Sequence, residues 1–314
     1  MKMSEFLHNN DAEYVDIPVG VKYDEERFID MYTIIHQTLI GQGYQYKDRI
    51  IAKVGTFFEE VLKATINDDI AKHEYLSQNL HEPKYTMIGY SRGGSGQAFG
   101  KDKYKILVDS IKSSTARKTG KINDILDAEL YTDDIGVDLI SDLVTNLIQD
   151  VLSEYTEEVL HNIYQDDKII KIKTHYWDEQ DRKWKYKDMS MINYYKELTG
   201  RRYYYLLVPE KITKGKDQKE VILKNIFNNC IYQIYSSKIL LNQQQYDNYI
   251  HRGKSKDEVY MYQAVYCMKD ELGIKHNGSK EVTIKSKSLL DLVERYPEII
   301  HFIDTSIKNK EPVR

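Results

Sequence analysis

Asp133-Asp-Ile-Gly-Val-Asp138-Leu-Ile-Ser-Asp142-Leu-Val-Thr-Asn146-Leu-Ile-Gln-Asp150 runs on through Tyr155, and its periodicity organises the first half of the chain. Leu139, Ile140, Leu143, Val144, Leu147, Ile148 and Val151 recur at i, i+3/i+4 and predict one helix with a broad buried face. Asp138, Asp142, Thr145, Asn146 and Gln149 fall on a polar strip opposite it, because residues three or four apart stack on a helix. The make-up of that strip is unusual. Solvated helix faces carry Glu, Lys and Arg, whereas Ser, Thr, Asn and Asp cost roughly 0.3–0.7 kcal/mol each relative to Ala by competing for the backbone. Short carboxylates and amides hold their oxygens close to a rigid backbone, which suits a metal ion or a ligand hydroxyl. The same residues also fit plain helix punctuation, with Asp138 as N-cap and Asp142 as a first-turn acid facing the helix dipole.

Upstream, Asp124, Asp127, Glu129, Asp133, Asp134 and Asp138 place six acids in fifteen residues. Carboxylates so dense repel one another unless a cation or a basic partner neutralises them. The spacing is not that of an EF-hand. Before them, Arg92, Gly93, Gly94, Ser95, Gly96 and Gly100 make a glycine-rich loop opening a helix expected over Lys101–Ser113. Free N–H groups at a helix start, flanked by Arg92 and Lys101, suit a phosphate, with Gly94, Ser95 and Gly96 as its cradle. The order of glycines matches neither the P-loop nor the dinucleotide fingerprint. Nor does Gly94-Ser95-Gly96 have the spacing of a nucleophile elbow.

Residues 1–23 read as a loose arm with an extended piece near Val15–Val21. Asp24–Ile40 and Lys47 to about His73 read as amphipathic helices. After the central helix the pattern turns to strands: Lys168–Trp177, a turn at Asp178–Arg182, and Trp184–Lys187 form a β-hairpin, with Tyr203–Pro209 as a third strand. Lys171, Lys173, Arg182, Lys183, Lys185, Lys187, Arg201 and Arg202 mix with tyrosines there, as single-strand stacking and phosphate contacts would use. A small sheet with a Lys-rich solvent face and a Tyr/Trp core face is the favoured reading. From Lys219 the chain reads as helices over Glu220–Tyr235, Ser236–Tyr249, Lys256–Leu272 and Leu289–Ile307. The expected fold is α+β, mostly helical with a small antiparallel sheet in the second half, divided into residues 1–165 and 166–314 or continuous as one domain.

The 314 residues suffice for one large or two modest domains, and 41% hydrophobic with 30% charged residues is ordinary globular composition. No apolar run approaches the ~20 residues of a membrane span, and no signal core is present, so a cytoplasmic protein without a membrane role is expected. Cys230 and Cys267 read as reduced core thiols. The 27 tyrosines follow from an AT-rich codon bias as readily as from function. A net charge of −4 excludes coating of nucleic acid by bulk charge, although residues 84–121 hold nine basic and two acidic residues.

These features converge on a divalent-metal nuclease. Asp127, Glu129, Asp138 and Asp142 would hold Mg²⁺ or Mn²⁺. Lys171 or Lys173 would complete a catalytic set with Asp138 and Asp142. The usual nuclease strand signature is broken, because Ile172 stands where its acid belongs. A non-enzymatic subunit using the polar strip as an interface for a protein partner is the alternative, and a nucleotide-binding module comes third. Gly89–Gly100, the segment Gly136-Val-Asp-Leu-Ile-Ser-Asp-Leu-Val-Thr-Asn146 and the strand Tyr204–Lys214 resemble a family of uncharacterised bacterial proteins with a Gly-x-Asp-x-Ile-Ser-Asp-x-x-Thr-Asn segment. The resemblance spans roughly residues 85–215. It implies an antiviral-defence setting, with a partner from a neighbouring gene, and no activity.

Overall fold

The computed structural model describes residues 1–36, 46–90, 101–113, 125, 127–128, 132 and 135–215. The chain divides into two compact units, Met1–Lys216 and Asp217–Arg314, and the described residues lie in the first. Within the first unit the hairpin packs on the central helix. The helices expected from Glu220 onward, Cys230 and Cys267 lie outside the described residues.

The fold is α+β. Its helices are α1 (Met3–Leu7), α2 (Met31–His36), α3 (Lys47–Ile66), α4 (Ile70–Ser77), α5 (Lys101–Ser113), α6 (Val137–Leu147) and α7 (Gln149–Asn162). Strands β2 (Ile169–Asp178), β3 (Lys183–Lys196) and β4 (Arg201–Tyr205) form an antiparallel sheet in chain order. The hairpin register runs from Ile169 opposite Ile192 to Asp178 opposite Lys183. A second pairing joins β1 (Phe28–Ile29) to β5 (Thr213–Lys214), also antiparallel.

The core lies where α3, α6 and α7 meet the hairpin. Trp177 and Trp184 are register partners and meet Phe57 of α3 edge-on, with centroids 5.0 and 5.8 Å away. Each indole N–H is satisfied, by Thr56 Oγ1 and by the Leu76 carbonyl, both at 3.1 Å. The hairpin's turn end is thereby fixed against α3 and α4, as buried Trp requires.

Three expectations are corrected. The N-terminal arm is not loose: Met3, Leu7, Tyr14 and Ile17 are buried, and Val15 N–H donates to Val208 O at 2.9 Å. The helix expected from Asp24 starts only at Met31, because Ile29 N–H is taken by Ser141 Oγ and Asp30 N–H by Ile212 O. Asp30 then caps α2, accepting from Thr33 N–H at 2.8 Å. The helix expected to reach His73 breaks after Ile66. Asp68 takes a φ of 49°, and Asp69 caps α4 by accepting from Lys72 N–H at 2.9 Å.

The central helix is two helices, interrupted at Ile148, whose φ of −110° and ψ of 18° leave helical space. Its N-cap is Gly136, not Asp138, which sits in the first turn. Both of its faces are buried, and that explains the short polar residues. Ser141 Oγ accepts from Ile29 N–H, Ser153 Oγ from Ser190 N–H at 2.8 Å, and Thr156 Oγ1 from Leu207 N–H at 2.9 Å. Thr145 and Thr156 return their own protons to Ser141 O and Leu152 O, both at 2.7 Å. These side chains satisfy backbone donors of neighbouring segments that would otherwise be orphaned in the core.

Candidate functional site

Helix α5 reaches the N-terminal end of α6. Leu107 and Ile111 are fully buried beneath it, and Tyr104 OH meets His73 Nδ1 of α4 at 2.8 Å. That anchoring aims Lys103 at two carboxylates on adjacent turns of α6. Its Nζ donates to Asp138 Oδ2 at 3.0 Å and to Asp142 Oδ2 at 2.8 Å. Asp138 stays partly open, whereas Asp142 is 4% exposed.

One lysine shared by two carboxylates does not offset the burial of both. Burial pushes the Asp142 carboxyl up, the charges of Asp138 and Glu82 push it further, and Lys103 opposes them incompletely, leaving it at about 7. For Lys103 itself, burial works against the charge, but the two aspartates outweigh it and hold the ammonium protonated. The group thus contains a fixed cation beside an acid that titrates near neutrality.

Gly89 passes beside Asp138. A Cβ there would stand 3.7 Å from Asp138 Oδ1 and 3.8 Å from Asp24 Oδ2, and its φ of +136° favours glycine. The expected phosphate-binding residues Arg92, Gly94, Ser95 and Gly96 lie outside the described residues, as does the side chain of Lys101. Gly89 and Lys103, which flank that stretch in sequence, both stand beside Asp138.

The other sequence-derived site residues separate from this group. Lys171 Nζ binds Ser190 Oγ at 2.5 Å and pairs with Glu157 of α7 at 3.3 Å, more than a dozen residues beyond Asp142. Lys173 is exposed, opposite Asp188 in the hairpin register. Neither supplies the lysine for the acids; Lys103 does. Asp127 is buried, at 2% exposure, and Glu129 lies outside the described residues. Among the described residues no three His, Cys, Asp or Glu side chains come close enough to hold a metal ion. Asp138 and Asp142 fit Mg²⁺ in the mode where one or two carboxylates share the ion with water and a substrate phosphate, and do not fit a closed protein cage.

The basic hairpin is largely neutralised. Lys185 pairs with Asp178 and Asp181 at 2.8 and 2.7 Å, Lys187 with Glu154 at 3.1 Å, and Lys183 with Asp181 at 3.3 Å. Arg182 pairs with Glu59 and Glu60 at 2.8 and 3.2 Å. This arrangement is the solvated Lys-rich face of a sheet rather than a phosphate track.

A cleft of about 180 Å³ opens one turn further along α6, between the His81–Thr86 segment, α6–α7 and β2. Asn146 builds its wall: Nδ2 donates to His81 O at 2.7 Å and Asp142 O at 2.8 Å, while Oδ1 accepts from His81 N–H at 3.3 Å. Two carbonyl partners fix the orientation of that amide. Gln149 accepts from Thr174 Oγ1 at 3.0 Å and turns its amide nitrogen to His175 Nε2 at 3.1 Å. Burial, with His81 adjacent, lowers His175 to about 4, so the ring is neutral at pH 7. Glu82 lines this cleft and also acts on Asp142, so cleft and acid pair form one polar seam.

Sequence reading brought Asp138, Asp142, Asn146 and Gln149 together on one strip but missed Lys103, His81, Thr86 and His175. The only available signal for Lys103 was the surplus of bases in residues 84–121 beside an acid-rich segment.

None of the described helices is long and apolar enough to cross a membrane. No curated protein and no solved structure matches the chain. Residues 7–220, nearly the whole of the described unit, match the family described as Domain of unknown function (DUF8370), and the chain belongs to that family.

Proposed function

We propose that the protein processes nucleic acid by hydrolysing phosphodiester bonds at Asp138, Asp142 and Lys103, with Mg²⁺ or Mn²⁺ as cofactor. One observation carries this reading: a lysine bridges two carboxylates, one of which titrates near pH 7, at the end of a polar cleft. An acid with a pKa near the working pH is suited to taking a proton from attacking water. Lys103 stays charged and can face the negative charge that grows on the phosphoryl oxygens as the P–O bond breaks. A bound divalent ion would add Lewis-acid polarisation of a phosphoryl oxygen. Gly89 and Lys103 at the acids also bring the ends of the basic glycine-rich stretch to the same place, which favours a phosphate-bearing substrate. The resemblance of the Gly136–Asn146 segment favours a cytoplasmic, bacterial antiviral-defence setting with a protein partner encoded nearby.

The test is cleavage of plasmid DNA, single-stranded DNA and RNA with Mg²⁺, Mn²⁺ or EDTA. Metal-dependent cleavage should fall about 10²–10⁴-fold in Asp142→Asn and in Lys103→Met, the range typical of a lost general acid–base group. Lys171→Ala should cleave normally. No cleavage of any substrate, or cleavage indifferent to Asp142 and Lys103, refutes the assignment.

A further inference from the structure

We propose that the cleft between the His81–Thr86 segment, α6–α7 and β2 receives a single amino-bearing nucleobase. The class of ligand rests on the nucleic-acid reading above; the site and its chemistry rest on the cleft. At about 180 Å³ it is smaller than the ~300 Å³ at which pockets for drug-sized ligands begin, so it suits one ring system rather than a whole nucleotide.

Its charges do not select a free phosphate. Among the lining residues, Lys84 and Glu82 cancel, and His175 is neutral at pH 7. An anion would find no net attraction there, whereas an uncharged heterocycle leaves no charge uncompensated.

The hydrogen-bonding inventory narrows the ligand further. Thr145 and Thr174 have given their hydroxyl protons to Ser141 O and Gln149 Oε1, which leaves them as acceptors toward the cleft. Thr86, also a lining residue, is 1% exposed, and its hydroxyl has no hydrogen-bond partner. A buried hydroxyl left unmade costs about 1–3 kcal/mol, and such an orphan calls for a partner that arrives with a ligand. The Thr145 and Thr174 hydroxyls, with their protons already given away, fit an edge that offers N–H groups, such as the exocyclic amine of adenine, cytosine or guanine. Enzymes that act on nucleic acid commonly hold an unstacked base in a pocket of this kind. Asn146 stands one helical turn from Asp142, about 6 Å along the axis, so a base held here lies beside the acid pair.

The experiment is calorimetric titration and thermal shift of the full chain in EDTA, with adenosine, cytidine, guanosine and uridine at up to millimolar concentration. At least one amino-bearing nucleoside should bind saturably, with uridine fivefold or more weaker. Thr86→Val should reduce that binding at least fivefold without lowering the melting temperature of the free protein, and Thr86→Ser should restore it. The proposal is overturned if no nucleoside binds, if uridine binds as well as the others, or if Thr86→Val binds unchanged. Because no metal is present, the outcome is separable from hydrolysis. Cleavage without nucleoside binding removes the cleft proposal alone, and nucleoside binding without cleavage supports the cleft while removing the hydrolytic one.

Discussion

Replacing Asp142 by asparagine should make the protein more stable at pH 8 while leaving it no more stable at pH 4. The carboxyl rises from 3.8 to about 7 on folding, chiefly through burial and then through the charge of Asp138. The folded state therefore binds the Asp142 proton more tightly than the unfolded chain does. The corresponding stability is present in full below the unfolded pKa and is lost as pH rises through about 7. At 1.36 kcal/mol per pKa unit the whole excursion is roughly 4 kcal/mol. Asparagine keeps the shape and an oxygen for Lys103 Nζ but does not titrate. The free energy of unfolding of Asp142→Asn minus that of the wild type should climb from near zero at pH 4 to as much as about 4 kcal/mol at pH 8.

Taking the difference between proteins is essential, because His175 acts in the opposite sense. Burial lowers it from 6.5 to about 4, so its contribution is present at high pH and is lost as pH falls through that window. It is worth at most roughly 3 kcal/mol, and less after screening, because the ring is only partly enclosed. In the wild type the two slopes largely cancel between pH 4 and 7; in the difference only Asp142 remains. Urea denaturation at half-unit pH intervals measures it. A difference that is flat, or that falls with pH, would mean Asp142 behaves as an ordinary ion-paired carboxylate, and the argument from shared compensation would be wrong.

Two further substitutions probe the frame that holds the site. Lys53 is 1% exposed and lies 3.0 Å from the fully buried Asp150 and 2.9 Å from Glu179, with its Nζ also on Trp177 O. Lys53→Met strands those carboxylates and should cost about 3 kcal/mol in urea unfolding, the lower end of the range for breaking a buried pair, since Arg49 still contacts Asp150. Ser153→Ala leaves the buried Ser190 N–H without its acceptor and should cost about 1–3 kcal/mol, with faster amide exchange at Ser190 as its local signature.

Legibility in the sequence followed the range of the interaction. The helix Lys101–Ser113, the starts of the helices at Lys47 and Val137 and the presence of the hairpin are local patterns of period 3.6 or 2, evident in the residues, whereas the breaks after Ile66 and at Ile148 are not. The start of α2 was not, because Ile29 N–H is claimed by Ser141, 112 positions away. The same distance problem hid the site. Asp138 and Asp142 are neighbours on one helix, but Lys103 reaches them from 39 positions before Asp142, and His175 meets Asn146 from 29 positions after it. Lys171 is an attractive partner in a linear reading because its own acid, Glu157, is invisible there. Glu157, Glu154, Asp178 and Asp181 occupy the hairpin's lysines once α7 and the turn are folded against them.

The polar strip of α6–α7 can now be divided by what each side chain returns to the fold. Ser141, Asn146, Gln149, Ser153 and Thr156 each satisfy a group of another segment, so their low helix propensity is offset by hydrogen bonds that the core needs. Asp142 does not fit that account. Its carbonyl serves Asn146, but its carboxylate shares one lysine with a second carboxylate, and an amide would hold the same place without the repulsion. A fold under pressure for stability alone would shed that charge. Groups kept at a local disadvantage mark functional sites, where activity and stability trade against each other. If Asp142 carries the hydrolysis proposed above, Asp142→Asn should gain stability at pH 8 and lose cleavage, and measured on the same preparation the two should move in opposite directions.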